Sequence, residues 1–213
     1  KETKNYFNSL TPKLSLRVSP TDMKNYSSSE REINTGNIFA INRLGLDNTL
    51  EEGQSLTVGI DYKKEELKEI NKFFELNLGT VFRDKIESRI PTTTTIDQKN
   101  SNIFGSSTYG LSENIKINYD FAIDNSLENF EYNSVGATLG LNNLVTSFDF
   151  VEKTGKMGGV NFLKNKTTIN FDEKNYFSFN TRRNRKINLT EYYNLVYEYK
   201  NDCLTAGVKY KKT

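Results

Sequence analysis

The sequence predicts an all-β protein, an antiparallel transmembrane β-barrel to which this chain contributes about twelve strands of a larger barrel. Short segments in which apolar and polar residues alternate follow one another along most of the chain, the pattern of strands with one apolar face. The 213 residues are polar on average, with a mean hydropathy of −0.66, yet they include 14 Phe and 12 Tyr. A membrane barrel combines these properties, because only every second strand residue faces lipid and the lumen can be polar.

Long polar segments separate the first four predicted strands. These strands cover residues 13–19, 37–44, 54–63 and 74–82, and the alternation is weakest in the second of them. The polar segments predict a long loop at 21–36, a turn at 63–71 and a long exposed loop at 84–100, which contains Pro91 and four consecutive threonines.

Eight further strands follow at close spacing. Six of them cover residues 101–111, 114–123, 128–141, 144–151, 160–171 and 176–183. The last two form a hairpin, in which alternating segments at 193–199 and 204–210 flank a two-residue turn at Asn201 and Asp202. Cys203, the only cysteine of the chain, begins the second strand of this hairpin.

The connections alternate in length, which is a property of outer-membrane barrels. Short turns are predicted at 112–113, 142–143, 172–175 and 201–202, and longer loops lie between them at 84–100, 152–159 and 185–190. Such barrels have short periplasmic turns and longer external loops. Two segments depart from the rule, because 124–127 is short on the loop side and 63–71 is long on the turn side.

Composition argues against several other classes of protein. The formal net charge is +2, from 29 basic and 27 acidic residues, so the chain lacks the basic excess of a nucleic-acid-binding protein. With no histidine, one cysteine and no glycine-rich phosphate loop, we expect no enzyme, no cofactor and no metal site. The first ten residues, KETKNYFNSL, lack the apolar segment of a signal peptide, so we expect an internal or C-terminal piece of an exported precursor.

Two stretches resemble the LptD family (also called OstA), the lipopolysaccharide-assembly proteins of the Gram-negative outer membrane. One is TRRNRKINLTEYYNLVYEYKNDCLTAGVKYKK at 181–212; the other comprises RVSPTD at 17–22 and NIFAINRLGLDNTLEEGQSLTVGIDY at 37–62. The resemblance implies that residues 1–213 are part of one outer-membrane barrel domain. It also implies that the N-terminal periplasmic domain and the closing strands lie outside this sequence.

The resemblance further implies a function and partners. The family inserts lipopolysaccharide into the outer leaflet as a barrel-plus-lipoprotein translocon, so the implied partners are an LptE-like plug lipoprotein, lipopolysaccharide and outer-membrane lipids. A periplasmic lipopolysaccharide-bridge protein would bind through the N-terminal domain, and no nucleic acid is expected.

The resemblance also gives Cys203 a role. In the family, a cysteine in this motif forms a disulfide with one in the N-terminal periplasmic domain, which implies a disulfide from Cys203 to a cysteine outside this sequence. Many members carry two adjacent cysteines here, whereas this chain has Asp202-Cys203 and can form only one such bond. The other reading is a small apolar residue at a strand end.

A basic cluster lies where a predicted strand meets an external loop. Its members are Arg182, Arg183, Arg185 and Lys186. They are either solvated loop residues or contacts for the phosphates of lipopolysaccharide, which Arg can bind in bidentate fashion. Tyrosines such as Tyr62, Tyr119 and Tyr199, assigned to strand ends, are predicted to anchor the barrel at the lipid interface.

Two alternatives to a lipopolysaccharide transporter remain at this stage. One is a generic outer-membrane porin or receptor barrel. The other is a soluble periplasmic β-sheet binding module, a sandwich or solenoid, whose apolar faces would pack against another sheet. The alternation alone leaves open which face points outward; the resemblance places the apolar face outward.

Overall fold

The computed structural model describes residues 5–212 and shows a single sheet of eleven antiparallel strands. The strands are β1 (Tyr6–Ser19), β2 (Gly53–Glu66), β3 (Phe73–Arg83), β4 (Ile103–Ser112), β5 (Ile115–Ile123), β6 (Phe130–Leu141), β7 (Leu144–Lys153), β8 (Val160–Asn170), β9 (Asn175–Asn184), β10 (Leu189–Lys200) and β11 (Thr205–Lys212). Each strand pairs with the next along the chain, which makes an up-and-down meander. The prediction of an all-β antiparallel protein is confirmed.

Helical structure is minor in residues 5–212. It consists of two 3-10 turns, Thr92–Thr94 and Gly155–Met157. No helix in this range is long and apolar enough to cross a bilayer.

The strand predicted at 37–44 is wrong, so the sheet has eleven strands and not twelve. These residues form consecutive turns, in which the amides of Asn37 and Ile38 donate to the carbonyl of Asn34. Ile38 and Leu44 are buried against the sheet. The spacing of these apolar residues comes from loop side chains that pack inward. Over so short a segment this spacing resembles the alternation of a strand.

The first two strands are longer than their apolar alternation indicated. β1 and β2 pair over fourteen residues each, down to Tyr6 and Glu66. Charged residues continue the strand, because cross-strand ion pairs hold them: Lys63 lies 3.2 Å from Glu75. The segment 63–71, predicted as a turn, therefore contains the end of β2, and the turn itself is 67–72.

The two faces of the sheet differ in polarity across all eleven strands. Residues paired in an antiparallel ladder point to the same face, so the register carries a face from strand to strand. What we call the apolar face includes Leu14, Leu16, Val58, Ile60, Leu76, Leu78, Tyr109, Ile117, Val135, Phe148, Phe150, Leu163, Phe177, Phe179, Leu195, Tyr197, Val208 and Tyr210. The opposite, polar face carries residues such as Thr57, Asp61, Asn77, Ser106 and Lys164.

Long and short connections lie at opposite ends of the sheet. One end, the long-loop end, carries residues 20–52, 84–102, 124–129, 154–159 and 185–188; the other, the short-turn end, carries 67–72, 113–114, 142–143, 171–174 and 201–204. The predicted sorting of connections by length is confirmed for the β3–β4 loop (84–102). The β1–β2 loop (20–52), which was predicted to be divided by a strand at 37–44, is longer still and lies at the same end.

The buried core lies between these two loops and the polar face. The β1–β2 loop contributes Met23, Ile33, Ile38, Leu44 and Leu46, the β3–β4 loop contributes Ile90 and Ile96, the connection 154–159 adds Met157 at the margin, and the sheet contributes Val81, Phe104 and Ala122. Gly59 permits the close approach, because a Cβ there would lie 2.6 Å from the Phe39 ring. The β3–β4 loop was predicted to be exposed; this is wrong for most of it, since Ile90 and Ile96 are fully buried, although Ile86 is exposed.

The apolar face is exposed over its whole width. Leu14, Leu16 and Val208 are each 73% exposed. Residues 5–212 form one sheet, so no second sheet covers this face, as a sandwich would require. A soluble monomer rarely exposes so large a continuous apolar surface, whereas a bilayer is a suitable solvent for it.

The two faces predict opposite tolerance for charge at neighbouring positions of β6. Val135 lies on the apolar face, and Ser134 faces Asp120 across the ladder on the polar face. Val135→Arg should lower the free energy of unfolding by about 2–4 kcal/mol in a bilayer, as arginine does on a lipid-facing surface near the midplane.

Ser134→Arg is the matched control and should change stability by about 0.5 kcal/mol. Urea unfolding in lipid vesicles, read by the heat-modifiable gel mobility of the folded protein, measures both variants. Equal losses would contradict the assignment of the faces.

Candidate functional site

A buried carboxylate surrounded by three arginines lies at the long-loop end. Glu51, near the end of the β1–β2 loop, accepts hydrogen bonds from Arg17 Nη1 at 2.6 Å and from Arg43 Nε at 2.7 Å. Arg43 Nη2 donates to the other carboxylate oxygen at 2.5 Å, and Arg83 Nη1 also donates to it. The side chains of Arg43 and Arg83 are 1% and 0% exposed, so the cluster is shielded from solvent.

The sheet places two of these arginines in one row. Arg17 of β1 and Arg83 of β3 both pair with Ser55 of β2, so the guanidinium groups project from the polar face on either side of that serine. Arg43 joins them from the loop and donates to Ser55 Oγ at 3.1 Å and to Thr57 Oγ1 at 3.0 Å. Glu51 therefore supplies the counter-charge that this row of arginines requires.

Further hydrogen bonds fix the loop backbone to the same cluster. Arg17 Nη2 donates to the carbonyl oxygens of Ala40 at 2.7 Å and Ile41 at 3.0 Å. Arg83 Nη2 donates to the carbonyl of Glu52 at 2.5 Å. The arginines thus bind the loop backbone as well as the side chain of Glu51. The backbone contacts hold the loop at residues 40–41 and at residue 52.

A second ion network joins the two long loops. Arg89 of the β3–β4 loop contacts Glu52 at 2.5 Å and Glu87 at 2.7 Å. It also donates to the carbonyl of Met23 at 3.2 Å. The two loops are therefore connected to each other and to the first three strands.

The carboxylates of both networks remain ionised at neutral pH. Burial raises the pKa of Glu51, but the hydrogen bond from Arg43 and the charges of Arg43, Arg17 and Arg83 outweigh it and hold the pKa below its ordinary value. The hydrogen bond from the Arg89 side chain lowers the pKa of Glu87. We call Glu51, Arg17, Arg43 and Arg83 the loop clamp, because this arrangement holds the loops and supplies no reacting group.

The structure does not bring the four predicted basic residues together. Arg182 lies on the polar face, 2.7 Å from Glu191 and over the ring of Phe162. Arg183 pairs with Leu163 on the apolar face and donates to Asn188.

The other two members lie in the connection 185–188. The Arg185 guanidinium is 5.3 Å from the Phe150 ring centroid, and the Lys186 amino group lies beside Gly159. All four are at the long-loop end but point in different directions, so they form a dispersed basic rim and not one pocket.

Cys203 is at the short-turn end with an exposed thiol. The predicted two-residue turn is wrong: 201–204 is a four-residue turn, and Cys203 lies within it and not at the start of β11. The side chain of Asn201 closes the turn by accepting from the amides of Cys203 at 3.0 Å and Leu204 at 2.8 Å. The disulfide from Cys203 to a cysteine outside this sequence stays a prediction.

The three singled-out tyrosines all lie on the apolar face. Tyr62 and Tyr199 are near the short-turn end, as interface anchors would be. Tyr119 is in the middle of β5, so its placement at a strand end is wrong. Its hydroxyl donates to Asn133 at 2.7 Å, which satisfies the polar group within the apolar face.

The loop clamp predicts that one carboxylate controls the packing of the β1–β2 loop. Glu51→Gln leaves three guanidinium groups without their shared charge, and losing one partner of a buried ion pair costs about 3–5 kcal/mol. We expect proteases to cut the loop faster in this variant, with cleavage sites mapped by mass spectrometry within 20–52.

Glu30→Gln is the matched control, because Glu30 is exposed in the same loop. It should be cut at the rate of the unchanged protein. If Glu51→Gln is also cut at that rate, the clamp does not hold the loop.

Comparisons with known proteins identify the family. A search among curated proteins finds no match. Mutants of the Rh. blastica porin are similar in structure at 11% identity: a triple mutant has a TM-score of 0.41 and covers 78% of this chain and 77% of that chain, and a double mutant has the same TM-score and covers 79% and 77%. The family model described as LptD, LPS transport system D, matches residues 1–153, which include β1 to β7 and both long loops. The chain therefore belongs to the LptD family, a lipopolysaccharide transport family.

Proposed function

We propose that this chain helps to transport and assemble lipopolysaccharide, inserting it into the outer leaflet as part of a barrel-plus-lipoprotein translocon. The observation that carries the proposal is the family match over residues 1–153. The LptD family is a transport family and not a kind of enzyme. The role of the chain is to form the wall between lipid and a polar lumen.

The polar face of the later strands supports a passage for sugars. Lys164 and Lys166 of β8 and Arg182 of β9 share this face, with Asp149 opposite Lys164 in the ladder. Mixed charges and amides can bind hydroxyl and phosphate groups by charge-assisted hydrogen bonds. Acyl chains would remain on the lipid side, where the apolar face provides matching surface.

The proposal places the chain in the cell outer membrane of a Gram-negative bacterium, with residues 1–213 as one part of a larger barrel domain. β1 and β11 do not pair with each other in the described residues, and an open sheet edge is not stable in lipid. We therefore propose closing strands elsewhere in the protein. The proposed partners are an LptE-like plug lipoprotein in the lumen and a periplasmic bridge protein bound through an N-terminal domain.

Contact with the substrate can be tested on two adjacent positions of β8. Lys166 faces the lumen and Thr167 the lipid, near the middle of β8. A photoreactive phenylalanine analogue at 166 should cross-link to lipopolysaccharide in growing cells, and the same analogue at 167 should not. Absence of the cross-link at 166 would favour a general porin or receptor barrel, and equal cross-linking at both would exclude a luminal path.

The basic rim enters the same experiment as a proposed phosphate contact. Because Arg182 is on the luminal face, Arg182→Ala should reduce the cross-link at 166, whereas Arg183→Ala, on the lipid side, should not. Arg185 and Lys186 are proposed as weaker contacts at the outer edge, where single substitutions to alanine should give smaller reductions than Arg182→Ala. No reduction in any variant would leave these residues as solvated rim.

A disulfide from Cys203 to the N-terminal domain is the remaining proposal from the family. The exposed thiol in a turn at the short-turn end supports it, because that end is periplasmic in outer-membrane barrels and the periplasm is oxidising. Full-length protein from outer membranes should change its gel mobility on reduction, and Cys203→Ser should abolish the change. A persistent mobility change in Cys203→Ser would assign the bond to other cysteines.

A further inference from the structure

A cleft of about 520 Å³ opens at the short-turn end of β1 to β4. Tyr6, Tyr62, Lys64, Phe74, Tyr109 and Leu111 line it. The registers place five of them, all except Leu111, on the apolar face, so the cleft opens on the side of the sheet that would meet lipid. The register shift in β4 between Gly110 and Ser112 leaves Leu111 unpaired, and such a bulge re-aims its side chain.

Residue chemistry along β2 marks the depth of the cleft in the membrane. Moving away from the turn on the apolar face, the order is Glu66, Lys64, Tyr62, Ile60 and Val58. Charged, aromatic and aliphatic residues follow one another, as they do from the headgroup layer to the hydrocarbon core. The cleft is therefore at the level of lipid headgroups.

An aromatic row forms the wall next to the hydrocarbon. The ring centroids of Tyr62 and Phe74 are 6.2 Å apart, and those of Phe74 and Tyr109 are 6.4 Å apart. The row crosses three strands and continues toward Leu76 on the same face. An acyl chain can lie along this row while its headgroup stays at the turn.

The rim of the cleft carries one cation and one anion. Lys64 lies with its ammonium 4.5 Å from the centroid of the Tyr6 ring, and in the described part of the chain neither Lys64 nor Glu66 has an ion-pair partner. Lys72 also lines the cleft, but Glu69 neutralises it at 2.7 Å. Lys64 and Glu66 are two residues apart on one strand face, about 7 Å along the strand.

We propose that this cleft binds a zwitterionic aminophospholipid of the phosphatidylethanolamine class. The phosphate contacts Lys64, the ammonium contacts Glu66, and one acyl chain lies on the aromatic row. Neighbouring charges of opposite sign match this headgroup, whereas the carboxylate of Glu66 disfavours an anionic lipid. The inference rests on the outer-membrane location in the proposed function, since the short-turn end then faces the phospholipid leaflet.

Native mass spectrometry of the full-length protein in detergent tests the proposal without any transport assay. With phosphatidylethanolamine and phosphatidylglycerol added in equal amounts, the unchanged protein should retain the former. Lys64→Gln should weaken that retention about tenfold, as expected for the loss of one charge-assisted hydrogen bond. Glu66→Gln should remove the preference and retain both lipids.

Lys63→Gln is the matched control, because Lys63 neighbours Lys64 in sequence but faces the lumen, where it pairs with Glu75. It should retain phosphatidylethanolamine as the unchanged protein does. Equal retention by the unchanged protein and Lys64→Gln, or no lipid retained by the unchanged protein, would overturn the proposal. Because lipid retention does not depend on transport, a failed lipopolysaccharide cross-link would leave this result unaffected.

Discussion

The contact between Glu51 and three arginines is the interaction on which the long-loop end depends. Arg17 and Arg83 project from neighbouring strands toward the same serine, Ser55, and two guanidinium groups so close together repel each other. These two guanidinium groups can be buried only with a carboxylate between them. The β2 residue that lies between them is Ser55, which is not acidic. The β1–β2 loop must therefore fold onto the sheet to bring Glu51 there, and in doing so it carries its apolar residues into the core.

Alternation along single strands is sufficient to predict most of the sheet, because register extends it from strand to strand. β5 shows this: Ile115, Ile117, Tyr119, Phe121 and Ile123 define one face, and pairing passes that face to β4 and β6. The same pattern failed at 37–44 and did not reveal the buried β3–β4 loop. Loops that pack against the polar face bury isoleucine and leucine as strands do. A local sequence pattern does not show the distant surface that covers these residues.

The loop clamp could not be predicted from the sequence for a related reason. Glu51 is 34 residues from Arg17 and 32 from Arg83, so no motif spacing connects them. The available signal was an arginine at the end of each of two strands that flank long loops. Cys203 and the basic rim, in contrast, are visible in the sequence as the only cysteine and a short run of basic residues, and the structure locates them at opposite ends of the sheet.

The loop clamp leaves the polar face of the sheet unevenly covered. Both long loops cover the polar face of β2 to β5, where the core residues Val81, Phe104 and Ala122 lie. The connections after β7 and β9 are only 154–159 and 185–188, which are too short to cover a comparable surface. Lys164, Lys166 and Arg182 therefore lie on an uncovered part of the polar face. Under the proposed function, a polar substrate that moves toward the long-loop end would pass along β8 to β10, because the clamped loops cover the polar face of β2 to β5.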